Sequence, residues 1–100
     1  MTIKEIKEDL KDIRYYYAHE KEFAKANTIV GQNCIVEMVK RYNAAVAKAP
    51  ARLYGIYLSL YVYDNTQIVV ADDMEYSVAH VKRLNKQLCE LFLKAFSEEK

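Results

Sequence analysis

An all-helical domain is the fold class that this sequence predicts, on three observations. The 100 residues include only 2 Gly and 1 Pro, which leaves few positions for hairpin turns or bulges and favours helices joined by short connections. Hydrophobic residues make up 52% of the chain, enough for one buried core at this length. Apolar positions also recur at spacings of three and four through most of the chain, the period of a helix with one buried face.

The first helix is marked by a cap and a seam. Thr2 and Glu5 form a T-x-x-E capping box, in which each side chain serves a free amide. Ile3, Ile6, Leu10, Ile13 and Tyr17 then alternate in steps of three and four, while Lys, Glu and Asp fill the other faces. The pattern predicts a helix from Thr2 to about Lys25, roughly 35 Å long at 1.5 Å per residue. Such a seam needs a partner, within the chain or on a second copy.

The stretch from Asn27 to Asn33 breaks the period. Gly31 reads as a stop with Asn33 as the next cap, or the second helix starts at Thr28 and carries Gly31 inside it. Ile35, Met38, Val39, Tyr42 and Val46 share one face of that second helix, which ends before Pro50. From Ala51 the run R-L-Y-G-I-Y-L-S-L-Y-V-Y is apolar on most sides, the mark of a central helix. Leu53, Ile56, Tyr57, Leu60 and Tyr61 form its broad face, and Asp64-Asn65 closes it. Its tyrosine content suits a strand too, but its length and repetition favour a helix.

The formal charge of +1 is not that of a strongly basic nucleic-acid binder, so any such reading depends on where the charges lie. Cys34 and Cys89 are too few and too distant for a disulfide scaffold or zinc module, and their aliphatic neighbours suggest reduced core thiols. No apolar run approaches the roughly 18 residues of a membrane span, and the charged start lacks a signal-peptide pattern. A cytoplasmic location without membrane attachment is expected. Catalysis finds little footing. His19 sits on a charged stretch, Asp72 and Asp73 point apart on a helix, and no phosphate loop, H-E-x-x-H or C-x-x-C occurs. The chain is therefore expected to be no enzyme, with no catalytic residue, metal or cofactor.

Gln67 to Leu84 carries the functional pattern, a helix-turn-helix. Ala71 is the small residue where the second helix crosses the first, and Met74 and Tyr76 flank the turn. Val81 and Leu84 anchor the second helix, with Val70 completing the small core. Thr66 or Asp64 can cap the first helix and Ser77 the second, and Tyr76 and Val81 are spaced as a hydrophobic staple. Glu75 stands where such turns usually hold a left-handed glycine. The face expected to contact DNA is Ser77, Ala79, His80, Lys82, Arg83, Asn85 and Lys86, with Arg83 suited to guanine and Asn85 to adenine. From Ser77 to Lys94 there are four basic residues (Lys82, Arg83, Lys86, Lys94) against one acid, Glu90.

The stretch from Arg52 to Phe96, with its R-L-Y-x-I-Y-L-x-L-Y-V, N-T-Q, A-D-D-M-x-Y-S and V-K-R-L-N-K-Q-L elements, resembles region 4 of sigma-70-type factors. It is closer still to the small sigma-like regulators of phages and mobile elements, the ArpU/RinA type, whose likeness extends to D-I-R-Y-Y-Y and R-Y-N-A-A-V-x-x-A-P. The resemblance implies a transcription regulator that binds double-stranded DNA, with a recognition helix at about 77–90 in the major groove and help from RNA polymerase. It implies a region-4-like unit over 50–100, preceded by a helical arm or hairpin over 1–49, the whole forming one compact unit. The seam of Ile3, Ile6, Leu10, Ile13 and Tyr17 would pair two copies as a homodimer, setting two recognition helices about 34 Å apart. A helical protein-interaction module without DNA binding is the alternative.

Overall fold

Thr2 caps the first helix, but the Glu5 carboxylate takes the Thr2 hydroxyl and not the Thr2 amide, so only half of the expected capping box forms. The Thr2 hydroxyl accepts the Glu5 amide at 3.2 Å and donates to the Glu5 carboxylate at 3.3 Å, and α1 runs Ile3–Ala18. The computed structural model describes residues 1–21 and 32–98, with the side chains of 32–34 outside that description. Among the described residues the chain is helical with no strand. The elements after α1 are α2 (Gln32–Val46), α3 (Ala51–Tyr57) with a π-helical turn at Leu58–Val62, α4 (Gln67–Met74) and α5 (Val78–Glu98).

Two expectations about the first half need correction. α1 stops at Ala18, short of Lys25, because His19 leaves helical geometry at φ −122° and ψ 29°. Its amide and its ring Nδ1 both turn to the Tyr15 carbonyl, at 3.1 and 3.0 Å, and the ring stacks on Tyr15. Asn33 is itself helical in α2, whose described part begins at Gln32, and so is not its cap. The proposed start at Thr28, the stop at Gly31 and the side chain of Cys34 lie outside the described residues.

The seam of α1 is spent inside the chain. Ile6, Leu10 and Ile13 are buried in the same core as Tyr42 and Val46 of α2 and Leu84 and Phe92 of α5, and Ile3 and Tyr17 pack against its edge. The Tyr17 hydroxyl also accepts Asn43 Nδ2 at 3.0 Å. A row already buried in its own molecule cannot pair two copies, so the expected homodimer loses its interface. The first half supplies one side of a common core.

That core is built around α3 and α5. The expected face Leu53, Ile56, Tyr57, Leu60 and Tyr61 is buried throughout, while Tyr54 and Tyr63 on the other side are exposed. Phe92 is fully buried, with ring centroids 4.7 Å from Tyr42 and 5.9 Å from Tyr57. Edge-on and tilted aromatic pairs of this kind each contribute about 0.5–1.5 kcal/mol beyond area burial. The buried tyrosines bring their hydroxyls to partners. Tyr42 donates to Asp9 and Tyr57 to Asn43, both at 2.6 Å.

The π turn sets where the next helix begins. Its wider winding ends with the Tyr63 amide on the Leu58 carbonyl at 2.8 Å. Arg14 then covers this end: its Nε donates to the Leu60 carbonyl at 3.1 Å and lies 3.5 Å from Asp64, with the guanidinium over the Tyr61 ring. Asp64 itself is left-handed at φ 55°, a conformation that short polar side chains tolerate better than most. No helix among the described residues is long and apolar enough to cross a membrane.

Candidate nucleic-acid interface

Thr66, not Asp64, caps α4: its hydroxyl accepts the Val69 amide at 3.3 Å. Eight residues later the helix ends in a Schellman turn. The Tyr76 amide returns to the Ala71 carbonyl at 2.8 Å and the Glu75 amide to Asp72 at 3.2 Å. This closure requires a left-handed residue between them, and Glu75 takes it at φ 58° and ψ 36°. Ser77 then caps α5, with its hydroxyl accepting the His80 amide at 3.0 Å.

Burial of the small core follows the residue types. Val70, Ala71, Val81 and Leu84 are buried, and the short side chain of Ala71 lets α4 and α5 cross closely. Met74 is half-buried, its methyl 3.6 Å from where a β-carbon would stand on Gly55 of α3. Tyr76 departs from expectation. It is exposed and outside the buried core, with its ring edge-on to His80 at 4.6 Å.

On the outer face of α5, Ala79, Lys82, Arg83 and Lys86 form one exposed row at i, i+3, i+4 and i+7. None of the three cations is ion-paired with a described residue. Ser77 is exposed at the head of the row and His80 is half-buried beside it. Asn85 does not belong with them. It is half-buried, and its Oδ1 accepts the Tyr61 hydroxyl at 2.6 Å. Burial pushes the Tyr61 phenol up to about 12, so at neutral pH it remains a donor to Asn85. The expected adenine reader is thus a structural side chain that satisfies a buried tyrosine.

No protein-family model, curated protein or solved structure matches this chain. Function is read from the site's own geometry and charge. Among the described residues no group of His, Cys, Asp and Glu is placed to hold a metal ion. Cys89 is buried and burial raises its thiol above the usual value, which keeps it protonated and unreactive. Exposed around the turn are the short row of cations on α5, the acids Asp72, Asp73 and Glu75, and the apolar side chains Ile68 and Val69.

The sequence missed one feature of this region. The charges of α1 are largely segregated: Lys4, Lys7, Lys11 and Arg14 lie along one side of the seam, and Glu5, Asp9 and Asp12 along the other, with Glu8 between the two rows. Asp9 reaches α2 through Tyr42. The cationic side borders an open groove shared with Tyr61 and Asn85, in which Glu8 is the one acid. The spacing i, i+3, i+7, i+10 of the four cations was the available signal.

The turn makes a stability prediction. A non-glycine residue at a left-handed position costs about 1 kcal/mol or more, and glycine removes that cost while gaining freedom in the unfolded chain. Glu75→Gly should therefore stabilise the protein by up to about 1 kcal/mol, read as a rise in Tm. A fall in Tm would mean that the Glu75 side chain stabilises the turn by more than the strain costs.

Proposed function

We propose that the chain is a transcription regulator that binds double-stranded DNA through α4 and α5. The N-terminal half of α5 lies in the major groove, with α4 bracing it across the backbone. One observation carries this reading: a capped helix, a left-handed turn at Glu75 and a second capped helix that presents Ala79, Lys82, Arg83 and Lys86 outward. Lys82 and Lys86 contact phosphates and Arg83 reads a guanine, with Ser77 and His80 at the groove edge. The resemblance to sigma region 4 supports the regulatory role and a contact with RNA polymerase.

A protein-interaction module is the second reading, favoured by the exposed apolar side chains Tyr63, Ile68 and Val69 around α4. Selection from a pool of random duplexes at low salt separates the two. Enrichment of a common motif, lost at higher salt, is the expected result. A pool that emerges unenriched, with no duplex retained by the protein, would overturn DNA binding in favour of a protein partner.

A further inference from the structure

The cationic side of α1 lies beside the helix assigned to DNA, yet no intramolecular role accounts for its lysines. Lys4, Lys7 and Lys11 are exposed and form no ion pair with a described residue. Their own helix carries four acids, but the helical period directs Glu5, Asp9 and Asp12 away from the lysines and leaves only Glu8 in their groove among the described residues. The side the lysines occupy faces α5: they line one groove with Asn85, and Lys7 is near enough to Cys89 to oppose the rise of its thiol. Lys82 and Lys86 stand on α5 one helical step outward from Asn85 and Cys89. Two rows of cations on neighbouring helices thus run along one edge of the molecule.

We propose that Lys4, Lys7 and Lys11 of α1 form a phosphate-binding rail, along which the backbone of the duplex read by α5 runs. This rests on the DNA reading of α5 and extends its footprint. The occupant follows from charge complementarity. Exposed ammonium groups repeated one helical turn apart, with Glu8 as the sole acid in the groove, match a linear polyanion better than a compact ligand. Such contacts are sequence-independent and fix how α5 enters the groove. Arg14, held by Leu60 and Asp64, anchors the helix and is not itself a contact.

The test uses the full chain and a fluorescent random-sequence duplex of about 20 base pairs, two helical turns. Anisotropy titrations at several salt concentrations give the slope of log affinity against log salt. Lys4→Ala, Lys7→Ala and Lys11→Ala combined should flatten that slope by about 0.9 unit per contact, up to about 2.7. The three lysines replaced by arginine should keep the parent slope. A matched loss of charge elsewhere, Lys40→Ala, Lys48→Ala and Arg52→Ala, should leave the slope unchanged. An unchanged slope in the α1 variant, alongside a flattened one in an α5 variant, would overturn the rail and leave the α5 reading intact. Equal flattening by the matched control would also overturn it, because net charge and not position would then be responsible. Failure of the parent to bind duplex would overturn both readings.

Discussion

Raising the pH above about 10 should unfold this protein cooperatively, because three tyrosines ionise far more readily in the unfolded chain than in the fold. Tyr42, Tyr57 and Tyr61 are buried, at 0%, 1% and 7% exposure. Burial raises all three phenols, Tyr61 to about 12 and the other two further, with the hydrogen bond to Asp9 adding to the effect at Tyr42. An unfolded phenol ionises near pH 10. Between that value and the folded one, the unfolded state has released the proton and the native state still holds it, so stability falls as pH rises. Each group contributes about 1.4 kcal/mol per pH unit, and three give about 4. Against a total stability of about 5–15 kcal/mol for a domain of this kind, the midpoint falls at about pH 11 or above. Cys89, also raised by burial, acts in the same direction.

The check is to follow phenolate absorbance and helical circular dichroism in one titration. The buried three should appear in one steep step that coincides with the loss of helix. Ionisation of Tyr42, Tyr57 and Tyr61 near pH 10 with helix intact would contradict the burial on which the prediction rests.

The outcome for each expectation depended on the range of the interaction that decided it. The helix-turn-helix was legible because its parts are local: Thr66 and Ser77 cap within three residues, and Val70, Ala71, Val81 and Leu84 are set by period alone. The left-handed geometry of Glu75 was legible from the same spacing, even without the usual glycine. The fate of the α1 seam was not, because periodicity identifies a face that must be buried and not what buries it. Its partners on α3 and α5 lie far along the chain. The π turn left no local mark in the sequence. Asn85 was legible and misread. It stands four residues after Val81 and four before Cys89, both buried, so the period places it on the inner side of α5. Its amide chemistry had outweighed its position.

Replacing Asn85 and replacing the three cations of α5 should therefore fail in different ways. At about 0.1 M salt each neutralised phosphate contributes about 0.9 decade of affinity, so Lys82 and Lys86 together contribute about 1.8 decades, roughly 60-fold. The combined alanine variant of Lys82, Arg83 and Lys86 should lose at least that factor on any duplex and flatten the salt slope by about 1.8 units. All three lie on an exposed face, so Tm should barely move. Arg83→Ala alone should cost about 1–3 kcal/mol on the cognate site and less on random DNA. Asn85→Ala should show the reverse. It removes the acceptor of the Tyr61 hydroxyl, and a buried donor left unpaired costs about 1–3 kcal/mol. For a domain of this size that lowers Tm by about 4–8 °C per kcal/mol. Affinity per folded molecule should stay near the parent value, and Tyr61→Phe in the same chain should recover part of the lost stability, because no hydroxyl is then left without a partner. A gel-shift series paired with thermal melts reads both axes at once. Loss of DNA affinity with unchanged melting in Asn85→Ala would return this residue to the DNA face. Parent-like binding by the triple variant would remove α5 as the reader.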